Sequence, residues 1–275
     1  MKEYILPILI FLGFGALSGI LLLIASKVLA VKTDETEAKI TEALPGANCG
    51  GCGYSGCAGY AAAVAHDGAP TNLCKPGGAD VMKKINAIMG TEGGEFIREV
   101  AYVRCNGCEK ATKDRFTFTG TKSCAAVEKF YNGKGECRFG CDGYGDCAAV
   151  CSNDAITITD GVAVVDPAKC GGCGKCVTAC PNHLIFLRKE TSTVALRCSS
   201  KDSGKVTRTV CTNGCIGCKI CEKKCPHGAV IVADNHAVID YDKCTSCGTC
   251  VSACPRKCLV NITCTHSEKA EQADN

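Results

Sequence analysis

Cys170-Gly-Gly-Cys173-Gly-Lys-Cys176-Val-Thr-Ala-Cys180-Pro181 reads C-x2-C-x2-C-x3-C-P. Three cysteines separated by pairs of residues can wrap one iron-sulfur cluster, while the fourth, a helical turn on, ligates a neighbouring cluster. One such stretch therefore implies two clusters and a partner stretch. The chain repeats the spacing at Cys215-Ile-Gly-Cys218-Lys-Ile-Cys221-Glu-Lys-Lys-Cys225-Pro226 and at Cys244-Thr-Ser-Cys247-Gly-Thr-Cys250-Val-Ser-Ala-Cys254-Pro255.

Outward from these motifs lies an internal repeat: residues 151–181 align without a gap with 225–255. In each copy two β-rich runs flank a turn, Asp160-Gly161 or Asp234-Asn235, a hairpin signal that leads into the next cysteine triplet. The first unit begins irregularly, with Cys137, Cys141, Cys147 and Cys151 at stretched gaps and Ser152 in place of proline. Crossing the fourth ligands gives four expected sets. They are Cys137, Cys141 and Cys147 with Cys180; Cys170, Cys173 and Cys176 with Cys151; Cys215, Cys218 and Cys221 with Cys254; and Cys244, Cys247 and Cys250 with Cys225.

Nearer the N-terminus, Cys49, Cys52, Cys57 and Cys74 form C-x2-C-x4-C-x16-C. Glycines between them let the backbone pass close to a bulky inorganic core. Four zinc thiolates are the alternative, but zinc ribbons favour paired C-x2-C arms and only one arm has that form. A four-iron cluster is the expectation here too. His66 reads as a surface or packing residue.

Composition agrees with domains built round a cofactor. There are 27 cysteines, no tryptophan and 5% aromatic residues, so a single large hydrophobic core is not expected. An odd cysteine count and repeated C-x2-C-x2-C spacing argue against a secreted disulfide framework. The formal charge of +3 counts thiols as neutral. Five oxidised four-iron clusters would carry the total to roughly −7, so the small basic excess is no case for nucleic acid.

From Tyr4 to Ser26 no residue is charged, a run long enough for one membrane-spanning helix. A cleaved signal peptide is the rival, with Val28-Leu29-Ala30 faintly resembling a cleavage site; it would export thiols to a compartment that does not keep them reduced. Lys27, Lys32 and Lys39 after the run, against Lys2 before it, place the bulk of the chain in the cytoplasm by the positive-inside bias. Asp34-Glu35-Thr36-Glu37 reads as a helix start ending before Pro45-Gly46. The alanine-rich run after Cys57 and the Val81, Ile85, Ile88, Met89 pattern read as two more helices.

The region from Glu99 to Gly135 is harder to read. Cys105, Cys108 and Cys124 are candidates for an extra cluster, and Arg104, Lys110, Lys113, Arg115, Lys122 and Lys129 make it basic, either a solvated face or a docking surface for an acidic ferredoxin. Beyond it, Leu184–Leu187 and Thr193–Leu196 read as strands. With Cys198, Cys211, Cys258 and Cys264, seven cysteines lie outside the sets above; they either supply a sixth cluster, for instance by taking Cys137, or act as small buried hydrophobes.

The sequence thus predicts an α+β chain with at least five [4Fe-4S] clusters, six or more remaining open. Its parts are a transmembrane anchor over 1–31, a four-cysteine iron-sulfur domain over 32–90, a basic connecting segment over 91–136, a ferredoxin-like 2[4Fe-4S] module over 137–188, a linker over 189–210, a second such module over 211–260 and a polar tail over 261–275. Clusters with four cysteine ligands offer no open iron to a substrate, so their work is one-electron transfer. No dinucleotide fingerprint between strand and helix and no nucleophile motif is found. A catalytic substrate site of the chain's own is not expected.

The order of parts, with Leu-Pro-Gly-Ala-Asn-Cys-Gly-Gly-Cys-Gly-Tyr-Ser-Gly-Cys over 44–57, Cys74-x-Pro-Gly-Gly and tandem ferredoxin units, resembles the B subunit of Rnf complexes. The resemblance implies a bacterial or archaeal membrane assembly, a translocase coupling electron flow between ferredoxin and NAD to Na+ or H+ transport. Its expected partners are soluble ferredoxin, the membrane, and the other membrane and peripheral subunits. It implies a single-pass subunit with cytoplasmic C-terminal domains, and matches Cys49, Cys52, Cys57 and Cys74 to a near-membrane cluster. The chain departs from shorter relatives in having two ferredoxin modules. The other readings are a membrane-bound polyferredoxin serving another reductase, and a tethered zinc-binding interaction protein.

Overall fold

Two short hairpins and two pairs of outer strands frame the cysteine loops of the second half of the chain. The computed structural model describes residues 12–24, 34–92 and 94–262. Helix α1 occupies residues 12–24 and exposes Leu17, Leu21 and Leu23. Among the described residues no helix is long and apolar enough to cross a membrane. The remainder of the span expected over Tyr4–Ser26 lies outside the described residues, as does most of the expected tail.

The four-cysteine domain is helical. Helix α2 (Glu35–Ala43) starts at Asp34, whose carboxylate accepts the Thr36 amide at 3.0 Å. Helices α3 (Cys57–His66) and α4 (Gly78–Met89) pack on it. Ile40, Tyr60, Val64 and Ile85 form the core, with Cys74 in the same cluster. His66 stays at the surface, 3.6 Å from Glu37.

In the first module β1 (Glu99–Val103) pairs antiparallel with β4 (Ile185–Lys189), in register Ala101 to Leu187. Between them come α5 (Cys124–Tyr131), α6 (Asp146–Ala149), the hairpin β2 (Ile156–Thr159) and β3 (Val162–Val165), and α7 (Lys175–Ala179). The second module repeats the plan. Strand β5 (Val194–Leu196) pairs with β8 (Leu259–Asn261), enclosing α8 (Gly204–Val210), α9 (Ile220–Lys224), hairpin β6 (Val230–Ala233) and β7 (His236–Ile239), and α10 (Thr249–Ser252). Both hairpin turns have φ above zero at their two central residues, Asp160 and Gly161, Asp234 and Asn235, as a two-residue turn matching strand twist requires.

Two boundaries read from the sequence are corrected. Segment 91–136 is not a mere connection, because β1 closes the first module's outer sheet; segment 189–210 is not a mere linker, because β5 opens the second. The strands expected over Leu184–Leu187 and Thr193–Leu196 are present, but a partner that lies far along the chain leaves no local signal of the pairing. The modules are also tied to each other. Tyr241 donates to the Tyr102 hydroxyl at 3.3 Å, and the buried Arg188 side chain of β4 donates to the carbonyls of Ser192 and Ile262.

Candidate iron-sulfur centres

Each ferredoxin-type loop has the same backbone. After Cys170, Cys215 and Cys244, the second and fourth residues lie at positive φ: Gly172 and Gly174, Gly217 and Lys219, Ser246 and Gly248. The loop after Cys141 is identical in this respect, with Gly143 at +71° and Gly145 at +85°. Its cysteines therefore fall in register with 215–225, and Tyr144 stands where Cys218 stands. One thiol is missing from that loop.

The missing thiol comes from α5. Cys124 lines one cavity together with Cys141, Cys147 and Cys180. Burial raises its thiol, and the nearby amides of Asp146, Tyr144 and Gly145 partly offset this, at the very loop position that lacks a cysteine. Asp146 fixes this arrangement: its carboxylate accepts the Ser123 hydroxyl and the amides of Cys124 and Ala125, each at 2.9 Å. Burial alone would raise the Asp146 carboxyl, but these donors outweigh it and hold it below the ordinary value.

Cys137, expected beside Cys141 and Cys147, is elsewhere. It lines a different cavity with Cys105, Cys198 and Cys211. The physical reason is chain direction: the Cys141 loop already turns by its two glycines, so Cys137, four residues upstream, falls on the far side of the turn.

The other expected sets are brought together. Cys49, Cys52, Cys57 and Cys74 line one cavity, and Cys215, Cys218, Cys221 and Cys254 another. Burial, and then the nearby thiolates of Cys170, Cys173, Cys147 and Cys151, pushes the Cys176 thiol up to about 12. Cys250 is raised by burial and by Cys244, Cys225 and Cys247. Short helices deliver the third and fourth cysteine of each loop, and amides in β1 or just before β2, β4 and β6 donate to sulfur: Ala101 to Cys170, Ala155 to Cys151 and Leu184 to Cys180 at 3.4 Å, Ala229 to Cys225 at 3.3 Å. Amide bonds to sulfur favour the thiolate and tune a cluster's potential.

Cys258 is a fifth thiol at the second module's first cavity, its sulfur 3.4 Å from that of Cys254. Sharing a proton with Cys215 and Cys254 pushes Cys258 up and holds those two below the ordinary thiol value. Cys264 lies outside the described residues.

All donors at these cavities are cysteine, which suits iron-sulfur clusters. Of the basic residues expected to form a face over 104–129, Arg104 is half-buried while Lys110, Lys113, Arg115, Lys122 and Lys129 are exposed. Arg104 lies over the Phe186 ring at 4.9 Å, and Arg115 donates to the carbonyls of Tyr131, Asn132 and Gly133.

Comparison with known proteins agrees with this partition. A family model described as "Putative Fe-S cluster" matches residues 44–76, and models described as "4Fe-4S dicluster domain" match 136–184, 169–229 and 214–259. The chain is 43% identical over 260 residues to the B subunit of the Na(+)-translocating ferredoxin:NAD(+) oxidoreductase complex of Acetobacterium woodii, covering 94% of this chain and 78% of that one. It is 40% identical over 248 residues to the B subunit of the ion-translocating oxidoreductase complex of Methanosarcina acetivorans, covering 90% and 94%. This chain belongs to the B-subunit family of Rnf complexes.

The B subunit of the proton-translocating ferredoxin:NAD(+) oxidoreductase complex of Clostridium ljungdahlii is a further relative, 35% identical over 260 residues and covering 93% and 91%. Shorter members of the family, such as that of Rhodobacter capsulatus, match over only 112 residues, 37% of this chain. Within the family this chain therefore shares both ferredoxin modules with the longer members, and the matched dicluster segments span Cys141 to Cys180 and Cys215 to Cys254.

Two signals for the unexpected ligand were present in the sequence. The 74-residue offset that aligns 151 with 225 also aligns Cys141, Cys147 and Cys137 with Cys215, Cys221 and Cys211. Extending the repeat upstream exposes Tyr144 as a gap in the donor set and Cys137 as a paired, not a substituted, position.

Proposed function

We propose that the chain is the multi-cluster electron relay of an Rnf-type complex, taking electrons one at a time from reduced ferredoxin and passing them toward partner subunits that reduce NAD and move Na+ or H+. Five sets of four cysteines would hold [4Fe-4S] clusters. They are Cys49, Cys52, Cys57 and Cys74; Cys124, Cys141, Cys147 and Cys180; Cys151, Cys170, Cys173 and Cys176; Cys215, Cys218, Cys221 and Cys254; and Cys225, Cys244, Cys247 and Cys250. When bound, such clusters supply reversible one-electron chemistry at low potential.

The observation that carries the reading is the continuity of the sets. Cys176 packs in one core cluster with Cys147 of the neighbouring set, and the loop of Cys49 and Cys52 packs on that of Cys173 at Gly51. Exposed Cys218 and Cys247 mark the second module as a place for electron entry, and Lys219, Lys223 and Lys224 suit an acidic donor such as ferredoxin. The apolar run over Tyr4–Ser26 would anchor the chain in the cell membrane, with the cluster domains in the cytoplasm.

The test is the visible spectrum, with iron and sulfide analysis, of the anaerobically purified chain. A broad brown absorption bleached by reduced ferredoxin, with about 20 irons or more per chain, is expected. A colourless protein holding stoichiometric zinc after anaerobic reconstitution would refute the relay.

A further inference from the structure

The fourth cysteine of every ferredoxin-type loop opens the same turn: Cys151-Ser-Asn-Asp-Ala155, Cys180-Pro-Asn-His-Leu184, Cys225-Pro-His-Gly-Ala229 and Cys254-Pro-Arg-Lys-Cys258. The fourth residue of each turn lies in the left-handed region, Asp154 at +48°, His183 at +49°, Gly228 at +59° and Lys257 at +49°. This reversal swings the next residue back over the cysteine that opened the turn. In the first three turns that fifth residue is apolar and buried, and its amide donates to the opening sulfur at 3.3 or 3.4 Å. In the last turn it is a cysteine.

Cys258 is not one of the relay ligands, because the set of Cys215, Cys218, Cys221 and Cys254 is complete without it, yet it lines their cavity. Its sulfur stands 3.4 Å from that of Cys254, and the residue is 2% exposed, in the core with Val230 and Leu259. A metal-bound cysteine is a thiolate and has no proton to give, so the donor between these two sulfurs is Cys258. A thiol buried only as a small hydrophobe need not face a ligand sulfur, and Ala155 and Ala229 fill the same place in the same turn. Arg256 adds to the asymmetry. It lines this cavity, and its guanidinium is pinned by the Gly214 and Cys211 carbonyls at 3.2 and 2.7 Å, where the other turns have Asn153, Asn182 and His227.

We propose that Cys258 sets a reduction potential: its thiol donates a hydrogen bond to the Cys254 sulfur and raises the potential of the cluster that Cys215, Cys218, Cys221 and Cys254 would hold. This rests on the relay reading and deepens it. Reduction adds negative charge to a cluster and its sulfurs, and a donor aimed at one of those sulfurs stabilises the reduced form more than the oxidised one. A fixed guanidinium nearby acts in the same sense. The other set of the second module, Cys225, Cys244, Cys247 and Cys250, has Ala229 at the equivalent position and lacks the extra donor. An electron given to this module therefore settles on the Cys254 side. That side adjoins the first module, since the Thr212 amide, three residues before Cys215, donates to the Ala111 carbonyl at 2.8 Å. The thiol thus biases electrons toward the rest of the chain.

The full chain, purified without oxygen, is titrated potentiometrically beside Cys258→Ala and Cys258→Ser variants, with EPR and visible absorbance followed and iron and sulfide counted. The iron count should be the same in all three, since alanine already stands at 155 and 229 in the same turn. One redox component should move to lower potential in Cys258→Ala while the others stay, and it should return part of the way in Cys258→Ser, which keeps a donor. A merely structural role would leave every midpoint in place, and that result would overturn the inference while the colour of the protein left the relay standing. Equal displacement in the two variants would also overturn it, by assigning the effect to packing. Loss of about four irons in Cys258→Ala would make Cys258 a ligand and overturn it too. A colourless parent would overturn both readings at once. Ala229→Cys tests the same inference without touching Cys258: it should move one component to higher potential, and unmoved midpoints at a full iron count would overturn the inference.

Discussion

Gly51 lies against the backbone of Cys173: a β-carbon at position 51 would stand 2.9 Å from the Cys173 carbonyl oxygen. The contact joins the loop of the N-terminal cysteine domain to a loop of the first ferredoxin module, and the Lys75–Glu99 ion pair at 2.9 Å braces it from the side. Backbone meets backbone there, so no side chain can give way. A Gly51→Val substitution should force the loops apart at a cost of about 1–3 kcal/mol, the range for overpacking. Expected are an unchanged iron count, a lower midpoint for thermal bleaching under argon, and slower electron exchange between the two loops' clusters in stopped-flow reduction. An unaltered midpoint and rate would show the contact to be incidental.

Cys124 substitutes for a residue that the loop after Cys141 lacks. Cys124→Ser should therefore lose one cluster, about four irons, whereas the double variant Cys124→Ser with Tyr144→Cys should regain it, because position 144 then matches Cys218. Tyr144 is half-buried, outside the hydrophobic cores, with its ring 6.1 Å from that of Phe118 and 5.4 Å from the Lys134 ammonium, so the replacement opens no core. Failure of the double variant to recover iron would mean that the loop cannot present a thiol at 144.

Asp146 holds Cys124 in place through three hydrogen bonds to the start of α5. Removing the carboxylate in Asp146→Ala should cost about 0.5–2 kcal/mol, as for loss of an N-terminal cap, and should free Cys124 to move. The measurable consequence is faster loss of one cluster in air than in the parent, followed as the decay of visible absorbance. Asp146→Asn, which keeps an acceptor, should fall between the two; equal decay in all three would separate Asp146 from cluster retention.

Local motifs could be read from the sequence, and distant pairings could not. Cys170 to Pro181 was legible because its ligands are neighbours and its glycines mark the positive-φ turns. The Asp160-Gly161 and Asp234-Asn235 hairpins were legible for the same local reason. What escaped is everything that depends on distant pairing: β1 with β4 across more than 80 residues, and Cys124 entering a loop from a helix of its own. Thiols gathered from four separate segments have no spacing to recognise, so Cys105, Cys137, Cys198 and Cys211 have no common signature until the fold brings them to one cavity.

The domains differ in how much of their core is metal ligand, and iron removal should expose the difference. Cys147, Cys170 and Cys176 sit in the core of the first module with Ile156, Leu184 and Ile185, and Cys215, Cys221 and Cys250 in that of the second with Val230 and Leu259. Sheets of two short strands are marginal by themselves, so both modules depend on bonds through the clusters, and metal binding there is folding free energy. The N-terminal domain instead packs three helices of 9, 10 and 12 residues on Ile40, Tyr60, Val64 and Ile85. Stripping iron with a chelator and oxidant under argon should abolish the strand and near-ultraviolet circular dichroism of the modules while leaving a helical signal. Limited proteolysis should then cut first between residues 99 and 262 and spare 34–90. Anaerobic reconstitution with iron and sulfide should restore protection there. Cleavage spread evenly along the chain, or modules that stay protected without iron, would show that their cores stand on apolar packing alone.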